Sequence, residues 1–123
     1  MAKKTFKLSL YRASLGCHIR AGMSGTHFKA NGIIHVGGKS ESGENGELLI
    51  YFLAPDSPVP KPAGFTRPTC TRGGICVPID QFSYYIDLLR NEKPVWIELY
   101  TDAPEENCIR TSWEPIGVND DNT

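Results

Sequence analysis

One stretch of this chain has the period of a helix, and most of the rest has the period of a strand. In "IDQFSYYIDLLRN" the apolar residues Phe82, Tyr85, Ile86 and Leu89 fall at i, i+3, i+4 and i+7, a single stripe on one helical face. Asp80 is placed to cap its start and Asn91 its end, and Pro94 forbids continuation, so a helix is expected over about 80–91. Elsewhere the apolar residues alternate. "TFKLSLYR" sets Phe6, Leu8 and Leu10 against Lys7, Ser9 and Tyr11. "PVWIELYT" sets Val95, Ile97 and Leu99 against Trp96, Glu98 and Tyr100. "ELLIYFLA" is continuously apolar and reads as a central strand covered on both faces. Residues 26–38 read as a strand with a hairpin turn or bulge at Asn31-Gly32. Residues 73–79 and 108–113 read as two more strands, and 13–25 as a glycine-broken loop holding a short strand. The expected fold is α+β: a twisted antiparallel sheet of about six or seven strands with the amphipathic helix packed on one face.

A chain of 123 residues fits one domain, 1–123. Residues 55–72 form an expected surface loop, since five of the nine prolines lie between 55 and 68 and exclude a helix or inner strand there. Residues 114–123 are expected to be an acidic, flexible tail. The N-terminus is charged and has no apolar core of a secretory signal, which points to a cytoplasmic protein. No stretch approaches the ~18 apolar residues of a membrane span.

Charge is divided unevenly. Residues 1–40 hold seven Lys and Arg and no Asp or Glu, whereas 41–123 hold six Lys and Arg and fourteen Asp and Glu. The net charges, +7 and −8, allow internal neutralisation, head-to-tail pairing of two copies, or a basic surface facing an anionic partner.

Catalytic patterns are sparse. There is no G-x-S-x-G elbow, and neighbours such as Cys17 and His18 point to opposite faces of a strand. "GGKS" at 37–40 lacks the upstream glycine and following helix of a phosphate loop. Cys70 and Cys76 are separated by five residues, which is not a metal-ligand spacing, although a zinc site with a distant ligand or a Cys70–Cys76 disulfide stays open. A hairpin at Asn31-Gly32 would bring His27 and His35 together as two metal ligands. Glu98, between Trp96 and Tyr100, is the best-placed carboxylate for acid–base work. The expectation is a protein that is not an enzyme, with no metal and no cofactor.

Binding chemistry is better represented. Lys4, Lys7, Tyr11 and Arg12 interleave cations with an aromatic, Phe28 and Lys29 repeat the pairing, and Arg67 and Arg72 lie in the loop. Cations that track phosphates and aromatic faces that stack bases suit single-stranded nucleic acid. The alternative is a protein-interaction or assembly module, homo-oligomeric or with another partner, anchored by Trp96, Tyr100 and the Pro-rich loop. The stretch 74–89, with Gly74, Ile75, Val77, Asp80, Gln81, Phe82 and Ser83, resembles the strand–helix junction of the positive-cofactor type of single-stranded-DNA-binding transcriptional coactivators. That resemblance implies nucleic-acid binding and transfers no site residue.

Overall fold

The structure, a computed structural model, describes residues 3–111. The expected tail at 114–123 lies outside the described residues. In chain order the strands are β1 (Lys3–Met23), β2 (Thr26–Lys39), β3 (Asn45–Leu53), β4 (Gly64–Thr66) and β5 (Arg72–Pro78). A 3₁₀ turn (Ile79–Gln81) leads into α1 (Phe82–Asn91). Then come β6 (Val95–Tyr100), a second 3₁₀ turn (Pro104–Glu106) and β7 (Cys108–Thr111). The seven strands form one curled sheet, a half-barrel, in the order β4-β5-β3-β2-β1-β6-β7.

The α+β class is as expected, but the sheet is mixed. β5 runs parallel to β3, because β4 forms a hairpin with β5 and turns the chain once more before it reaches the sheet. β4 also means that the 55–72 segment is not wholly loop. The helix stripe is as expected, with Phe82, Tyr85, Ile86 and Leu89 against the sheet. Its caps differ: Asp80 sits inside the 3₁₀ turn, no side chain caps either helix, and Glu92 rather than Asn91 is the C-cap.

β1 and β2 make a long hairpin that turns at Ser24-Gly25, whose φ values of 53° and 77° suit a two-residue turn with both φ positive. Residues 13–23 are therefore strand, broken only by a bulge, and 24–25 are the turn. Asn31 is an extra residue against β3, since Ala30 pairs with Leu53 while Gly32 pairs with Phe52. Opposite it, Gly16, Cys17 and His18 bulge from β1, and the Asn31 side-chain amide donates to the Cys17 carbonyl at 3.3 Å.

This bulge switches the buried face of β2. Beyond it Ile34 and Val36 join Phe6, Leu48, Ile50, Phe52, Ile97 and Leu99 in the main core, on the inner face beneath α1. Before it Phe28 and Ala30 join Met23, Leu53 and Cys76 in a second core. A bulge rather than a turn at Asn31 also leaves His27 and His35 on one continuous strand, so the paired-histidine arrangement does not form.

The two ends of the sheet meet at Asn107, which is only 2% exposed. Its Oδ1 accepts the Tyr100 backbone N–H at 2.8 Å, and its Nδ2 donates to the Phe65 carbonyl and the Thr66 hydroxyl, each at 2.9 Å. Close approach there depends on glycine. A Cβ at Gly64 would lie 2.2 Å from the Pro104 carbonyl oxygen, and one at Gly73 would lie 2.8 Å from Asn107 Nδ2. The Arg67–Arg72 turn plugs the same end of the half-barrel: Cys70, with φ 59°, buries its thiol and donates to the Leu99 carbonyl at 3.3 Å.

Candidate interaction surface

The residues expected to bind nucleic acid divide into two groups. Lys4 pairs with Glu44 at 3.0 Å and also donates to the Thr69 carbonyl; Lys29 pairs with Asp56 at 2.7 Å. Arg72 pairs with Glu47 at 3.0 Å, and the other oxygen of that carboxylate lies 2.6 Å from His35 Nε2. Phe28 is 2% exposed, with its ring edge-on to Tyr51 at 5.1 Å, so its face is unavailable for stacking. The alternation at Phe28-Lys29 is real, but the Asn31 bulge turns the aromatic into the second core. Lys7, Tyr11, Arg12 and Arg67 are exposed. Among the described residues no ion pair involves Lys7, Arg12 or Arg20. Arg67 joins Arg72, Thr69 and Thr71 around a shallow pocket separate from β1.

Glu98 does share a sheet face with Tyr100, but it is fully engaged. It is 5% exposed; one oxygen accepts the Tyr100 hydroxyl at 2.9 Å, the other accepts from Arg110 Nε, and Lys3 Nζ stands 3.7 Å away. Burial alone pushes the Glu98 carboxyl up, but the hydrogen bonds from Arg110 and Tyr100 and the Arg110 and Lys3 charges outweigh it and leave its pKa lowered. A carboxylate with a lowered folded pKa adds stability above its unfolded pKa, and that stability is lost as pH falls through the folded pKa. Tyr100 is the mirror case. Its bond to Glu98 pushes the phenol up to about 12, so its contribution is complete below ~10 and is lost as pH rises toward about 12.

We expect Glu98→Gln to flatten the loss of melting temperature below pH ~4.5 and Tyr100→Phe to flatten the alkaline loss. Melting curves across pH check both. Unchanged acid and alkaline limbs would mean that the cluster does not couple to folding. Trp96, the other residue expected at a protein interface, is half-buried on β6.

The cysteines are all free thiols. Burial pushes Cys76 up to about 12, and burial with the nearby Glu98 pushes Cys108 up to about 11, the opposite of an activated nucleophile. Among the described residues no three His, Cys, Asp or Glu side chains are grouped to hold a metal ion, and no helix is long and apolar enough to cross a membrane.

The feature that sequence reasoning missed is the outer edge of β1. β6 pairs with β1 only from Lys3 to Lys7, whereas β1 continues to Met23. From Leu8 onward β1 is paired only with β2 among the described residues, and residues 9–16 are exposed. Leu10 is 66%, Leu15 65% and Tyr11 37% exposed along this edge. Beside it, where β6 has not yet begun, lies a groove of about 920 Å³ lined by Leu8, Tyr11, Leu89, Arg90, Pro94 and Val95 among others. A long edge with unpaired backbone groups and exposed leucines is a template for another strand. The sequence carried little signal for it, because residues 13–25 read as a glycine-broken loop rather than as a strand outrunning the six residues of β6.

Comparison with protein-family models, curated proteins and solved structures finds no match for this chain.

Proposed function

We propose that this chain is a non-enzymatic binding domain that takes up an extended segment of a partner protein along the outer edge of β1, from Leu8 to Leu15. The observation that carries the reading is the length of the outer edge of β1 that no described residue pairs with beyond β6, with Leu10 and Leu15 exposed on it and a groove alongside. Strand addition gains main-chain hydrogen bonds from the edge and side-chain specificity from the flanking groove. This keeps the interaction-module reading but moves its surface from Trp96 and Tyr100, since the Tyr100 hydroxyl is committed to Glu98.

The second reading, single-stranded nucleic acid along the same strand, is favoured by the exposure of Lys7, Tyr11 and Arg12 together. It is weakened by the ion pairs of Lys4, Lys29 and Arg72 and by the burial of Phe28.

The test is fluorescence anisotropy with a labelled peptide of about ten residues alternating Val and Thr, long enough to span this edge at ~3.4 Å per residue. A version N-methylated at alternate residues and an oligo-dT serve as the other probes. Binding of the plain peptide that N-methylation abolishes is the expected result. Binding of oligo-dT alone, with a steep salt dependence, would replace it with the nucleic-acid reading.

A further inference from the structure

We infer that the segment taken up on β1 is an acidic strand from another protein, carrying carboxylates on its outer face and apolar side chains on its inner face. This rests on the strand-addition reading and concerns only the chemistry of the occupant.

The two faces of the β1 edge differ. Tyr11 pairs with Val36, Ala13 with Ile34 and Leu15 with Gly32, and these β2 residues face the main core and α1. Tyr11 and Leu15 therefore lie on the inner side, and Tyr11 lines the groove whose other wall is supplied by Leu89, Pro94 and Val95. Arg12 pairs with His35, and Lys7 pairs with Trp96, both on the opposite face. A bulge between Leu8 and Leu10 shifts the alternation by one, so Lys7 and Arg12 share the outer side, with Leu10 between them, although they are five residues apart. A strand laid beside β1 alternates in the same way. Directly opposed pairs across the ladder favour carboxylates facing Lys7 and Arg12, and apolar groups facing Tyr11 and Leu15.

Charge settles which occupant fits. Residues 1–40 carry seven Lys and Arg and no Asp or Glu, and Arg90 and Lys93 add cations at the groove rim against the single Glu92. A second copy pairing β1 with β1 would bring two such strands, both wholly without acidic residues, into contact. Like charges facing each other across an interface suppress that partner. Lys7 and Arg12 have no ion-pair partner among the described residues, so an incoming carboxylate does not have to displace one.

Three labelled peptides test this, each with Val at alternate positions and Glu, Thr or Lys between them. The Glu peptide should bind about tenfold tighter than the Thr peptide at low salt, and the Lys peptide weakest, with the differences shrinking as salt rises. In Lys7→Glu/Arg12→Glu the order should reverse; both residues are exposed, and an unchanged melting temperature confirms an intact fold.

Equal affinities for the Glu and Thr peptides, both abolished by N-methylation, would overturn the acidic preference and leave strand addition standing. Binding of the Glu peptide that survives N-methylation would overturn strand addition. Dimerisation seen by light scattering and competed by the Thr peptide would make a second copy the occupant and overturn the inference.

Discussion

Asn107→Ala is expected to lower the unfolding free energy by about 3–5 kcal/mol, read as a drop in urea midpoint at unchanged slope. The size follows from what the side chain satisfies. Truncation leaves the Tyr100 N–H and the Phe65 carbonyl without their partners at a site that is 2% exposed. The Thr66 hydroxyl loses a third contact. Each buried polar group stranded in this way costs ~1–3 kcal/mol, and the cavity adds to it.

The effect reaches beyond one turn, because Asn107 holds Tyr100 at the end of β6 to Phe65 and Thr66 on β4, strands far apart in sheet order. Asn107→Asp separates hydrogen bonding from volume. It keeps the shape, but a carboxylate only accepts: the Thr66 hydroxyl can turn to donate to it, whereas the bond donated to Phe65 is lost and that carbonyl at 2.9 Å now faces an anion. It should cost about as much as alanine. An unperturbed midpoint for the Asp variant would mean that the donated bonds do not close the half-barrel.

What the sequence disclosed about this fold depended on whether a local rule was enough. The helix stripe at Phe82, Tyr85, Ile86 and Leu89 and the alternation at 95–100 are each decided within a few residues, and both stand in the structure. Asn31-Gly32 is locally compatible with a turn or a bulge. The choice falls to a bulge because β2 pairs with β1 and β3 on both sides of it. That one bulge hides Phe28, so the basic-aromatic pairing Phe28-Lys29 could not be read correctly without it. The parallel pairing of β3 with β5 follows from where β4 turns the chain, and nothing in "ELLIYFL" or "GGICV" distinguishes it.

Asn107 sits in "PEENC" like any polar turn residue, and only the curl of the sheet buries it. The β1 edge was obscured for a different reason. Residues 9–16 are exposed on both faces and have no buried side to enforce alternation, so 13–16 carry little of the pattern by which strands are recognised, whereas Ile19 and Ala21 beyond them pack against the second core.

The link between core and surface can be tested at Phe52. Its ring is fully buried and stands edge-on to Phe82 at 4.9 Å and to Tyr85 at 5.4 Å, so it is one of the sheet residues on which α1 rests. Phe52→Ala removes a large core side chain and both ring contacts, and is expected to cost about 3–5 kcal/mol. Phe52→Leu keeps most of the volume and should cost less, while still removing both aromatic contacts.

The position of α1 matters to the proposed surface, because its last turn, with Leu89 and Arg90, forms one wall of the groove beside β1. A loosened helix should therefore weaken uptake of the Glu-containing peptide several-fold even though Lys7, Tyr11 and Arg12 are untouched. Met23→Ala supplies the comparison. Met23 lies in the second core with Phe28 and Cys76, away from the groove, so its loss lowers stability while leaving affinity in place. Affinity measured where both variants remain folded would separate the cases. An equal fall in affinity for both, or none for Phe52→Leu, would remove α1 from the binding surface and leave the bare edge of β1 to act alone.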